Sequence, residues 1–202
     1  MKLARPAVAL ATLACLAGGL HAQAATAKPV CNLLTDDAGD ATGFLVTGLP
    51  LPNNANLDIL SGDIASNAKT VTGVLRLANI GKDSTSVADT YYVNFTVGES
   101  TYYLAATYDG TTATYTVGDN SGTGGTRHTI AAATGKVDAA KKTVTISTPL
   151  STIGVTSKAV YTDINALAQR YIGGAGRGLT PTADDATTDK TYKGGTLSCV
   201  KP

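Results

Sequence analysis

Residues 90 to 118 read TYYVNFTVGESTYYLAATYDGTTATYTVG, three runs of Thr, Tyr and Val interrupted at Gly98-Glu99 and Asp109-Gly110. β-Branched and aromatic residues suit a pleated, half-buried strand, and Gly-containing dipeptides between them suit tight turns, so this stretch constrains the chain to antiparallel hairpins. A two-residue turn at Gly98-Glu99 sets Phe95 opposite Tyr102 and Val93 opposite Leu104, which makes one face apolar. Tyr92, Asn94 and Tyr103 then point the other way. Asp109-Gly110 opens a second turn into Ala113 to Val117, completing a three-stranded meander.

The same grammar of short strands and turn signals at roughly ten-residue spacing runs through the rest of the chain. Expected strands are Leu57 to Ala65, Thr70 to Leu77, Thr90 to Val97, Thr101 to Tyr108, Ala113 to Val117, Thr143 to Thr148, Lys158 to Ala166 and Thr191 to Cys199. Breaks fall also at Asn53-Asn54, in the polar stretch Asp119 to Gly125 and at Gly173 to Gly178. Asp163 to Tyr171 admits a helix capped by Thr162 or Asp163, but the preceding AVYT reads as strand, and strand is preferred. The fold expected is all-β, an antiparallel jelly-roll-like β-sandwich forming a single domain.

Lys2 and Arg5, an apolar run from Pro6 to Leu20 and the small-residue sites Ala22-Gln23-Ala24 and Ala25-Thr26-Ala27 have the layout of a secretory signal peptide over residues 1–27. The apolar run is too short for a membrane anchor. The expected location is secreted or extracellular, periplasmic if the source is Gram-negative. Residues 28–202 then carry 14 basic and 15 acidic residues, because Lys2 and Arg5 leave with the signal. No basic field remains to recruit nucleic acid or an anionic membrane. Cys15 leaves too, so Cys31 and Cys199 stand alone at opposite ends, and in an exported chain such a pair is expected to form one disulfide; two free thiols are the alternative. Closing so long a loop stabilises by about 4 to 5 kcal/mol in the chain-entropy model.

Reactive chemistry is sparse. His21 lies in the signal and His128 is the one histidine left, which makes a histidine-rich zinc site impossible and obliges any Ser-His-Asp triad to use it. Asp119-Asn120-Ser121-Gly122 is a weak match to a serine-protease nucleophile segment, and Gly174 to Gly178, GAGRG, lacks the third glycine of a dinucleotide loop. Paired acids could serve glycoside hydrolysis, yet the acids sit beside turn residues and Trp is absent. The expectation is a chain that is not an enzyme.

TDDAGDA at 35 to 41, LDILSGDIA at 57 to 65, TVTGVLRLANI at 70 to 80, YYVNFTVGESTYYLAA at 91 to 106, GKVDAAKKTVTISTPLSTIG at 135 to 154 and DDATTDKTYKGGTLSC at 184 to 199 resemble a β-sandwich domain of secreted bacterial, actinobacterial-type proteins. That domain occurs alone or appended to exported subtilisin-like proteases, and is similar to DOMON domains and family 9 carbohydrate-binding modules. The resemblance implies a noncatalytic sandwich, often with a structural calcium ion and sometimes with a ligand groove. It implies a binding module for carbohydrate or a cell-envelope component or, alternatively, a structural domain partnering a secreted protein such as a protease.

Calcium also follows from the acids themselves. If Cys31 and Cys199 join antiparallel neighbouring strands, positions summing to about 230 face each other, which sets Asp40 opposite Lys190 and beside Asp189. Asp184 and Asp185 then approach the same corner as Asp36 and Asp37, and Asp58 either joins them or faces solvent. Carboxylates gathered in this way repel one another unless a cation intervenes, and an oxygen-rich site suits calcium. The competing reading makes Asp36, Asp37 and Asp40 Asx-turn residues around Gly39. For a ligand, Tyr92 and Tyr103, adjacent on neighbouring strands with Asn94 as a polar neighbour, form an outward stacking platform, unless they merely cover the sheet or pack beneath a loop.

Overall fold

The fold follows from strands that pair almost as their sequence spacing dictates. A computed structural model describes residues 28–42, 52–82, 88–122, 126–170 and 182–202. Residues 1–27, expected to be a signal peptide, and Gly174 to Gly178 lie outside the described residues. The strands, in order, are β1 (Leu34–Thr35), β2 (Ile59–Ser66), β3 (Thr70–Leu77), β4 (Asp89–Val97), β5 (Ser100–Tyr108), β6 (Ala113–Gly122), β7 (Thr126–Ala132), β8 (Thr134–Asp138), β9 (Thr143–Pro149), β10 (Val160–Arg170), β11 (Thr182–Thr187) and β12 (Tyr192–Lys193).

They form two antiparallel sheets. The first has the order β1-β2-β3-β9-β8; the second has the order β11-β10-β4-β5-β6-β7, with β12 attached to β10. The β4–β5 hairpin turns at Gly98-Glu99 and sets Val93 against Leu104 and Phe95 against Tyr102, the register expected from the sequence. Asp163 to Tyr171 is strand as far as it is described. Its beginning is irregular: β10 bulges between Thr162 and Asn165, and Asp163 takes a positive φ of 47° there. The expected strand Thr191 to Cys199 is instead the two-residue β12 followed by turns, while β7, β8 and β11 appear where no strand was expected.

The inner faces bury Val71, Leu75, Ile64 and Ile146 from one sheet against Tyr91, Val93, Phe95, Leu104 and Ala166 from the other. The sheets meet closely at Gly73, where an added Cβ would stand 2.9 Å from Val93 Cγ2 and 3.0 Å from its Cβ. Two buried acids are neutralised locally. Asp63 accepts the Leu33 N–H and pairs with Arg76 at 2.8 Å. Asp89 receives the Nε and Nη2 of Arg170, on the adjacent strand, in a two-pronged ion pair.

Cys31 and Cys199 are joined, closing a separation of 168 residues. The segments they join do not run antiparallel: Val30 and Ser198 form a parallel bridge, with Val30 N–H donating to Leu197 O and Cys199 N–H to Val30 O. The register that set Asp40 opposite Lys190 therefore does not exist.

Two consequences are measurable by urea unfolding. Gly73→Ala costs about 1–3 kcal/mol through overpacking, and the penalty shrinks when Val93→Ala vacates the space, so the double mutant is more stable than the sum of the singles. Cys199→Ser loses about 2–5 kcal/mol.

Candidate functional site

The acids gather at one corner by a route other than the disulfide. After β1 the chain turns through Asp36 to Asp40 with Gly39 at φ 93°, a left-handed conformation that favours glycine. Asp58 lies just before β2, its own N–H bonded to Asn54 O and its carbonyl taken by the Ala78 N–H. Asp184 comes from β11, where its register partner on β10 is the fully buried Ala168, so strand alternation turns Asp184 into the sandwich and Asp185 outward. Carboxylate oxygens of Asp36, Asp40 and Asp184 lie within 4.8 Å of one another.

Each buried member of this group has one oxygen tied down and the other left over. Asp184 Oδ2 accepts the Ile59 N–H at 2.6 Å. Asp58 Oδ2 accepts the Gly39 N–H at 2.7 Å and Asn53 Nδ2 at 3.3 Å, while its Oδ1 is buried without a partner; the residue is 2% exposed. Asp36 Oδ1 accepts the Asp37 N–H at 3.1 Å, and Asp36 Oδ2 is likewise buried and unpartnered. Donors that fix one carboxylate oxygen and leave its twin free are what orients ligands around a metal.

No base offsets these charges among the described residues, whose ion pairs engage Asp63, Asp119, Asp138 and Asp89 instead. Burial, reinforced by the charges of Asp36, Asp40 and Asp58 and opposed by the Ile59 N–H, pushes the Asp184 carboxyl up to about 6. Burial also raises Asp36; the Asp37 N–H opposes it, and Asp40, Asp185 and Asp37 add to it. Of the seven aspartates expected at this corner, the structure brings Asp36, Asp40 and Asp184 together with Asp58 beside them. Asp37 and Asp185 are exposed near the rim, and Asp189 is exposed on a bend outside the group. Asp58 neither faces solvent nor stands alone, because the turn carrying Gly39 folds over it.

The tyrosine platform is not open. Tyr92 and Tyr103 do lie on one outer face, rings 5.9 Å apart and edge to face. However, Tyr103 is 3% exposed, its hydroxyl bonded to Thr129 on β7, and Asn94 is 6% exposed with its amide nitrogen held by Asn165. Arg127 of β7 lays its guanidinium 3.9 Å from the centre of the Tyr92 ring, covering the face a ligand would stack on. Arg127 was not singled out from the sequence, since β7 lies where no strand was expected.

At the other weak motif, the Ser121 hydroxyl donates to Asp119 Oδ1 at 2.6 Å, and His128 Nδ1 lies 3.4 Å from the same oxygen with its side chain 60% exposed. Serine and histidine thus share one acceptor; a triad needs the serine hydroxyl on the histidine. The bond from Ser121 is the largest influence holding the Asp119 carboxyl below its usual value.

Among the described residues no helix is long and apolar enough to cross a membrane. No protein-family model matches this chain, and no curated protein or solved structure matches it either.

Proposed function

We propose that this chain is an exported, noncatalytic β-sandwich binding module for a carbohydrate or a cell-envelope component, and that a calcium ion at Asp36, Asp40, Asp58 and Asp184 holds it together. The observation that carries the calcium reading is the set of free, inward carboxylate oxygens without a basic partner. Six to eight oxygen ligands and tolerance of irregular geometry make calcium the divalent ion suited to such a group. Export is supported by the composition of the first 27 residues and by a disulfide, which persists in oxidising compartments. The noncatalytic reading is supported by the Ser121 and His128 geometry, and the binding role by the sequence resemblance to carbohydrate-binding sandwiches.

The ion bridges the two sheets, since Asp184 belongs to one while Asp36 and Asp58 flank strands of the other. Binding to the folded state alone must therefore raise the melting temperature. At a calcium concentration 100-fold above the dissociation constant the rise is about 5 to 10 °C, reversed by EDTA and absent in Asp184→Asn. Indifference of the wild type to both additives would overturn the calcium reading.

The pH dependence has a definite sign. Asp184 holds its proton more tightly folded than unfolded, so metal-free protein loses stability as pH rises from the ordinary carboxylate value to about 6, and no further from this group above it. Calcium needs the ionised form, so its stabilising effect is full at pH 7.5 and declines below about 6. Melting curves at pH 5 and 7.5, with calcium and with EDTA, check both statements.

A further inference from the structure

A row of side chains crosses four strands of the second sheet beside the β4–β5 turn. Phe95 on β4 faces Tyr102 on β5, Tyr102 faces Asp119 on β6, and Asp119 faces His128 on β7. Residues directly opposite on neighbouring strands share a face, and Phe95, which belongs to the core, identifies that face as the inner one. Burial falls steadily along the row. Phe95 is inaccessible and Tyr102 half-buried, while the Asp119 side chain is 24% exposed and that of His128 60%. The first sheet therefore covers the start of the row and leaves its far end open.

A depression of about 250 Å³ occupies the open part, lined by Glu99 to Tyr102 on one side and Asp119 to Ser121 on the other. Its lining combines one aromatic ring, two carboxylates, an amide and three aliphatic hydroxyls. Two of these groups are held in place by the fold. The Tyr102 ring packs against Phe95 with centroids 5.8 Å apart. Asp119 Oδ1 accepts the Ser121 hydroxyl at 2.6 Å and the Ser121 N–H at 3.1 Å and lies 3.4 Å from His128 Nδ1; among the described residues every bond to this carboxylate falls on Oδ1, which leaves Oδ2 for a ligand. A ring and a carboxylate fixed by their neighbours form a preorganised pair.

The lining selects the ligand. Carboxylate, amide and hydroxyl groups bond to the hydroxyls of a sugar, and a tyrosine ring offers an apolar surface to its C–H face. No lysine or arginine lines the depression, and Glu99 and Asp119 make it negative, so a uronate, sulfate or phosphate is repelled. The space is smaller than the roughly 300–1,000 Å³ of pockets that enclose drug-sized ligands, so it takes one ring and not a buried chain.

We infer that this depression is the glycan site of the module, and that it takes a sugar residue without acidic groups, its ring against Tyr102 and its hydroxyls on Asp119 and Asn120. The inference rests on the binding-module reading and deepens it, and it requires no metal.

The test is an NMR titration of the isotopically labelled, disulfide-intact protein with two neutral probes, the N-acetylglucosamine tetramer and the mannose tetramer, and one acidic probe, the galacturonic acid trimer. At least one neutral probe shifts the amides of Ser100 to Tyr102 and Asp119 to Ser121, and the acidic probe binds at least about tenfold more weakly. Asp119→Ala weakens the neutral probe by about tenfold or more, and Asn120→Ala, at an exposed position, by about two- to tenfold. Arg127→Ala, which uncovers the Tyr92 ring on the opposite face, leaves binding unchanged. A neutral probe that binds with both pocket variants as with the wild type, or that shifts the outer face instead, overturns the inference while the binding-module reading stands. Equal binding of the acidic probe also overturns it. If no probe binds, both readings fall together.

Discussion

The hydrogen bond from the Ile59 N–H to Asp184 Oδ2 joins the edge of one sheet to the first long strand of the other. The contact at Gly73 and Val93 is apolar and non-directional, and the neutral hydroxyls of Tyr192 and Tyr91 make further links, accepting the Ser66 N–H and donating to the Asn56 carbonyl respectively. The Ile59 bond is short, specific and charge-assisted, and it needs Asp184 to be turned inward from β11. A carboxylate placed between sheets must be compensated, because an isolated buried charge costs more than one hydrogen bond returns.

The chain solves that problem in two ways elsewhere. Asp89 is met by a guanidinium on the adjacent strand, both groups nearly inaccessible. Asp63 is met by a half-exposed Arg76 and by a backbone amide of the N-terminal segment that crosses over it. At the Asp184 corner no guanidinium is used: the donors are backbone amides and the Asn53 side-chain amide, and on each carboxylate they satisfy one oxygen only. Burial, reinforced by the charges of Asp36, Asp40 and Asp58, pushes Asp184 up to about 6, while bonds from the Ser121 hydroxyl and amide hold Asp119 low. The same chemistry gives opposite shifts because burial and neighbours, not residue type, set the balance.

Much of the fold was legible because β-hairpins are local. Gly98-Glu99 fixes a register that carries through all nine pairs of β4 and β5, and the apolar alternation of Val93, Phe95, Tyr102 and Leu104 agrees with it. β7 and β11 were not legible. β7 is an edge strand with almost every residue exposed, so no alternation marks it; β11 spends an inward position on an aspartate, against the pattern that identifies strands. The gathering of acids was expected, yet by a wrong route, since the direction of two distant segments is a tertiary fact. A cysteine pair fixes proximity, not polarity, and Val30 and Ser198 run parallel.

The outer face shows how one unrecognised strand alters a functional reading. Tyr92, Asn94 and Tyr103 lie where strand alternation puts them, and the expected meander ended at β6. Adding β7 beyond β6 brings Thr129 to the Tyr103 hydroxyl and Arg127 onto Tyr92, so aromatic surface suited to a sugar instead holds a guanidinium. The polar surface left exposed beside buried, unpartnered oxygens lies at the Asp36 to Asp40 turn. What that turn presents is oxygen and charge rather than an aromatic face, in a chain that carries no tryptophan.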